Sequence, residues 1–115
     1  MIFVIDDDEI MAECVANATG GETRIFTDAY MATSAIAEGE LPEVIFLDVL
    51  LNGPDGFTFL NDLMSYSDTA KIPVILVTSL KMERRDLSSY GVVGLLNKDT
   101  MTPEDVRRYV EQYAK

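Results

Sequence analysis

Four short stretches of this sequence end in residues that could do chemistry together. Asp6, Asp7 and Asp8 follow the apolar run IFVI, Asp48 follows VIFL, Thr78 and Ser79 follow VILV, and Asn97-Lys98 follow VVGLL. Clustered carboxylates repel: at ~4 Å and an effective dielectric of ~20, two of them oppose each other by about 4 kcal/mol before solvent and counter-ions relax the pair. Such a cluster calls for a cation. Three acids with a hydroxyl and a lysine make a site for a hard, oxygen-liganded divalent ion beside an anion, and Mg²⁺ with a phosphoryl group is the commonest such pair. Taken singly the residues say less. Asp6 to Asp8 could be a strand end spilling acids into a solvated loop, Thr78 a strand-end hydroxyl, and Lys98 one of the many lysines that close strands.

These residues act together only if the chain brings them to one place. Apolar runs at 2–5, 23–26, 44–47, 74–77 and 92–96 predict five strands, and helical periodicity at 9–18, 29–38, 56–65, more weakly 82–90, and 103–114 predicts a helix after each. The closing helix puts Val106, Val110 and Tyr113 on one face. Near-continuous β-rich runs without polar alternation indicate strands buried on both faces, as in a parallel sheet covered by helices on each side. The expected architecture is a doubly wound α/β sandwich. In such sheets ligands bind beyond the carboxyl ends of the strands, which is where all four polar stretches fall. Punctuation agrees: Asp28 can cap a helix that Gly39 ends, Gly20-Gly21 and Pro42 mark turns, and TPED at 102–105 supplies a cap, a first-turn proline and a capping-box acid.

Composition narrows the class. The 115 residues fit one domain, 1–115, able to bury roughly two-thirds of the surface its unfolded chain exposes without disulfide or metal staples. With 20 acids, 9 bases, no histidine and a net charge of −11, a nucleic-acid partner is not expected, because phosphate-backbone binding rests on clustered Lys and Arg. No stretch approaches the ~20 apolar residues of a membrane span and no signal peptide is visible, so a cytoplasmic protein is expected. Cys14, among Ile10, Met11, Val15 and Ala18 at helical spacing and without a histidine to activate it, is expected in the core.

The motifs VIDDDE, IFLDVLLNGPDG, VILVTS and LLNKD, in that order on alternating elements, make the whole chain resemble the receiver domain of bacterial two-component response regulators. The resemblance implies a flavodoxin-like five-stranded sheet of order 2-1-3-4-5. It implies that Asp48 accepts a phosphoryl group from a sensor histidine kinase or a histidine phosphotransfer protein. Asp6 and Asp7 would hold Mg²⁺ with Asp48 and the backbone carbonyl of Leu50, while Thr78 and Lys98 would each contact a phosphoryl oxygen. Ser79 is small, as phosphate approach requires, and Asp8 would begin the first helix and complement its dipole. With no effector domain after Lys115, output is expected by passing phosphate on or by docking a downstream protein, with Arg107, Arg108 and Tyr109 as exposed contacts on the closing helix.

The chain also departs from that pattern. Asn52 stands where a proline usually follows the phosphoacceptor, Pro54 comes two residues later, Leu95 holds the aromatic switch position, and Asp99 replaces the proline after Lys98. A non-proline cis bond costs ~3 kcal/mol, so Lys98-Asp99 is expected to be trans. In receivers the side chains two beyond the phosphoacceptor and two beyond the threonine flank the path of a hydrolytic water; the resemblance puts the apolar Leu50 and Leu80 there, which implies a slowly decaying phosphorylated form. Two other classes compete. A haloacid-dehalogenase-like phosphatase would use Asp6-x-Asp8, Mg²⁺, a threonine and a lysine, but it needs a further acidic pair beyond the lysine and a substrate cap. A degenerate receiver would keep the fold as a phosphate-independent interaction module, and the joint presence of Asp6, Asp7, Asp48, Thr78 and Lys98 speaks against it.

Overall fold

The computed structural model describes residues 1–48, 56–79 and 91–114. In chain order the elements are β1 (Ile2–Ile5), α1 (Glu9–Thr19), β2 (Thr23–Phe26), α2 (Ala29–Ala37), β3 (Val44–Leu47), α3 (Gly56–Met64), β4 (Val74–Thr78), β5 (Val92–Asn97) and α4 (Pro103–Tyr113). The strands form one parallel sheet of order β2-β1-β3-β4-β5. The expected helix at 82–90, the Leu50 carbonyl, Asn52, Pro54 and Leu80 lie outside the described residues.

Strand composition accounts for position in the sheet. Every residue of β1, β3 and β4 is buried, because these three strands have neighbours on both edges and helices on both faces. At the margins, β2 exposes Arg24 and Ile25 and β5 alternates buried with half-buried residues. Successive side chains of β1 part to opposite faces. Phe3 and Ile5 join α2 (Ala29, Ala32, Ala35) and α3 (Phe59, Leu60, Leu63) in one core, whereas Ile2 and Val4 join α1 (Ala12, Val15, Ala18) and α4 (Val106) in the other. Each fully buried Phe, Leu or Ile in these layers contributes about 1.5–3 kcal/mol.

Local signals set the helix ends. Asp8 caps α1, its Oδ1 accepting from the backbone N–H groups of Ile10 and Met11 at 3.1 and 3.2 Å. Asp28 caps α2, and Gly39, at φ 101°, turns the chain out of that helix while its N–H donates to the Ile36 carbonyl. Thr102 and Asp105 form a capping box on α4 behind Pro103. The expectation for Cys14 is corrected: it is exposed. The buried stripe of α1 runs through Ala12, Val15, Ala18 and Thr19, whose centre lies about a third of a helical turn from position 14, and Ile10, nearly opposite that stripe, is 77% exposed.

Candidate functional site

The sheet ladder continues one residue past β1 and β3, and this fixes both principal acids. The Asp6 N–H donates to the Phe26 carbonyl at 3.0 Å and the Asp48 N–H to the Ile5 carbonyl at 2.9 Å. The two carboxylates are therefore held by backbone rather than by loop. Asp6 is 3% and Asp48 4% exposed, and Asp7 is half-buried beside them. One carboxylate oxygen from each of the three lies within 4.8 Å of the others. Asp8 Oδ1, by contrast, is committed to the helix cap, and the Asp8 N–H donates to Asp6 Oδ1 at 2.9 Å.

Lys98 supplies the cation that the acids require. Its backbone N–H donates to the Thr78 carbonyl at 3.0 Å, continuing the β4–β5 register that pairs Thr78 with Asn97. Its ammonium then lies 3.0 Å from Asp6 Oδ2 and 2.9 Å from Asp48 Oδ2. Burial pushes the Asp6 carboxyl above its ordinary value, and the Asp8 N–H and the Lys98 ammonium only partly counter it. For Lys98 the largest single influence is burial, which lowers its pKa, but hydrogen bonds to Asp48 and Asp6 and attraction to both carboxylates together raise it. The ammonium thus stays charged while the acid facing it is costly to ionise. One ammonium does not neutralise three carboxylates, and Asp7 pairs with no cation among the described residues.

Of the residues singled out from sequence, the structure brings Asp6, Asp7, Asp48 and Lys98 into one cluster, with Thr78, 1% exposed, ending β4 at the same edge. Ser79 is exposed there. Lys98-Asp99 is trans, as is every peptide bond among the described residues. The reading of Tyr109 as an exposed contact is corrected: it is half-buried against β5, whereas Arg107 and Arg108 are exposed. Sequence reasoning missed the work of Asn97, whose side chain shapes the turn after Lys98. An asparagine at a strand end directly before a polar turn was the available signal.

The fold is that of a response regulator receiver domain, and the family of that description matches residues 2–111. The chain belongs to that family, whose members are the receiving modules of two-component signalling. Its curated relatives include the response regulator PleD of Caulobacter vibrioides, 34% identical over 87 residues that cover 69% of this chain and 18% of PleD. A protein-glutamate methylesterase/protein-glutamine glutaminase of Shewanella is 28% identical over 94% of this chain and 32% of that protein. The chain thus spans about a third or less of these relatives. Among solved structures, a putative response regulator from Chloroflexus aurantiacus superimposes with a TM-score of 0.82 at 25% identity, covering 96% of this chain and 93% of that one. The receiver domain of NtrX from Brucella abortus also gives 0.82 at 25%, covering 97% and 96%. These matches set aside the haloacid-dehalogenase-like phosphatase.

Proposed function

We propose that Asp48 accepts a phosphoryl group from a histidine donor and that the modified domain then signals to a protein partner. The observation that carries this is the Lys98 ammonium shared between Asp6 and Asp48, acids from different strands, beside a third carboxylate within 4.8 Å. A carboxylate oxygen of Asp48 attacks phosphorus, the phosphorus–nitrogen bond to the donor imidazole breaks, and the departing nitrogen keeps the electron pair and later takes a proton. Lys98 would pair with an oxygen of the transferred group, and the Thr78 hydroxyl would donate to another. A phosphate-independent interaction module would have no use for three packed carboxylates, whose mutual repulsion costs stability.

The donor set fits Mg²⁺. It holds only oxygen ligands, all from carboxylates, with a half-exposed member that leaves room for water. Asp6, Asp7 and Asp48 would hold the ion, together with the Leu50 carbonyl. When bound, it supplies the positive charge that lets an anionic nucleophile and an anionic phosphoryl group share the pocket.

On this reading residues 1–115 are one receiver unit working in the cytoplasm. Its chemistry is limited to its own phosphorylation and dephosphorylation. Its partners are a sensor histidine kinase or histidine phosphotransfer protein and a downstream protein. Arg107 and Arg108 offer cations for that docking. The test is intact-mass spectrometry after incubation with acetyl phosphate and Mg²⁺. One added phosphoryl group on the wild type, lost in Asp48→Asn and on chelating the metal, is expected. Labelling that survives Asp48→Asn would overturn the assignment.

A further inference from the structure

We infer that Asn97 is a positioning residue for Lys98: its side-chain oxygen and its carbonyl together build the turn that aims the ammonium at Asp6 and Asp48. Three backbone N–H groups converge on this one residue. Asn97 Oδ1 accepts from Asp99 at 2.8 Å, and the Asn97 carbonyl accepts from Thr100 at 3.2 Å and from Met101 at 2.8 Å. With the Lys98 N–H tied to the Thr78 carbonyl at 3.0 Å, residues on both sides of Lys98 are fixed. The backbone from which its side chain departs is therefore tied at both ends.

That constraint matters because a lysine stem is long and flexible, carrying about 2 kcal/mol of rotamer entropy. Its reach to two acids at 2.9 and 3.0 Å is reproducible only if the backbone launches it in one direction. A proline could impose such a direction by its ring, but Asp99 follows the lysine here. The short loop of Asn97 onto the second amide ahead does it instead, by a local side-chain to backbone hydrogen bond. Asp6 uses the same device at the other end of the ion pair, since its Oδ1 accepts from Asp8, also two residues ahead. The lysine and its partner are thus each aimed by an i to i+2 turn. Because Asp99 is exposed, water can satisfy its N–H when the side chain is removed. Global stability should then change little while the aim of Lys98 changes much.

The inference rests on Lys98 as a phosphoryl-binding group, and two readouts separate its failure from failure of that reading. In metal-free protein at neutral pH, Asn97→Ala should shift the carboxyl ¹³C resonances of Asp6 and Asp48, as the ammonium loses its fixed place, and Asn97→Ser should return them towards wild type. With Mg²⁺ and beryllofluoride, Asn97→Ala should weaken apparent beryllofluoride affinity about tenfold, as loss of one organising hydrogen bond allows, while Mg²⁺ alone binds no more weakly. Unshifted carboxyl resonances in Asn97→Ala, equal losses for both ligands, or no recovery in Asn97→Ser would each overturn the inference. If the wild type itself ignores beryllofluoride, the Asp48 reading falls and the carboxyl resonances still decide the role of Asn97.

Discussion

Tyr109 fills the space that a side chain on Gly94 would need: a β-carbon built on Gly94 would lie 2.4 Å from Tyr109 Cε1 and 2.5 Å from Cζ. The ring of α4 therefore rests on bare β5 backbone, next to the point where the β4–β5 register skips Val93. Tyr109 also stacks on Tyr113, with ring centroids 6.4 Å apart. A cavity of about 500 Å³ lies alongside, lined by Leu95, Arg108 and Gln112 among others. Gly94→Ala should force the ring outward and cost about 1–2 kcal/mol, the lower part of the overpacking range because a half-buried tyrosine can swing. Thermal melts of Gly94→Ala, Tyr109→Ala and the double variant check this. The double variant should be no less stable than Tyr109→Ala alone, and full additivity would show that the two residues do not compete.

The raised pKa of Asp6 has a definite consequence for stability against pH. Burial lifts the folded-state value above 3.8. The group's favourable contribution is therefore complete below that unfolded value and is lost as pH climbs through the folded one. Relative to Asp6→Asn, the metal-free wild type should be at its best in acid and fall behind towards neutrality. Lys98, its pKa raised above 10.5, stays charged throughout this window and adds no slope of its own. Chemical denaturation in a chelator at several pH values reads the difference. A gap that is constant, or that closes with rising pH, contradicts the assignment.

The capping box of α4 is separable from the chemistry. Thr102→Ala removes the oxygen that accepts the Asp105 N–H and should cost about 1 kcal/mol. Beryllofluoride affinity at saturating Mg²⁺ should not move. A loss of affinity matching that of the Asn97→Ala variant would mean that α4 as a whole, not the turn before it, sets the lysine.

The apolar pair Leu50 and Leu80 carries an expectation about signal lifetime that rests on the receiver resemblance, which puts these two positions beside the path of a hydrolytic water. Neither can orient a water for attack on an aspartyl phosphate, so Leu50→Asn combined with Leu80→Glu should shorten the phosphorylated state. Decay of the labelled protein, followed by mass spectrometry after removing the donor, is the measurement. Equal or slower decay in the double variant shows that water access does not set the lifetime.

The sequence was most legible where one physical signal dominated. Five apolar runs became five strands, with β4 and β5 each one residue longer than expected. The caps at Asp8, Asp28 and Thr102 were readable because unsatisfied helix amides have few possible partners. Strand order was legible through the family resemblance, not through periodicity, which is silent on which strands pair. Cys14 was misplaced because α1 carries apolar residues around much of its circumference. Ile10 and Met11 suggest one buried face, whereas Ala12, Val15 and Ala18 define another, and small alanines won because they let the helix approach the sheet. Tyr109 was misplaced because its partner is a glycine with no side chain to announce the contact. That the acids and the lysine share one sheet edge was legible from type and position, but the turn at Asn97 depends on hydrogen bonds that composition does not record.

The strand order also bears on how the chain folds. β1 and β3 bring the three acids together at the middle of the sheet, whereas their cation arrives just after β5, two strands out from β3 and late in the chain. A partly assembled sheet of β2, β1 and β3 would hold buried carboxylates with no ammonium beside them. Such an intermediate is penalised by the same desolvation that lifts the Asp6 pKa. The charge pattern of the site therefore disfavours stopping halfway and ties docking of the last strand to completion of the first, so that assembly of the pocket and cooperative folding of the domain become one event.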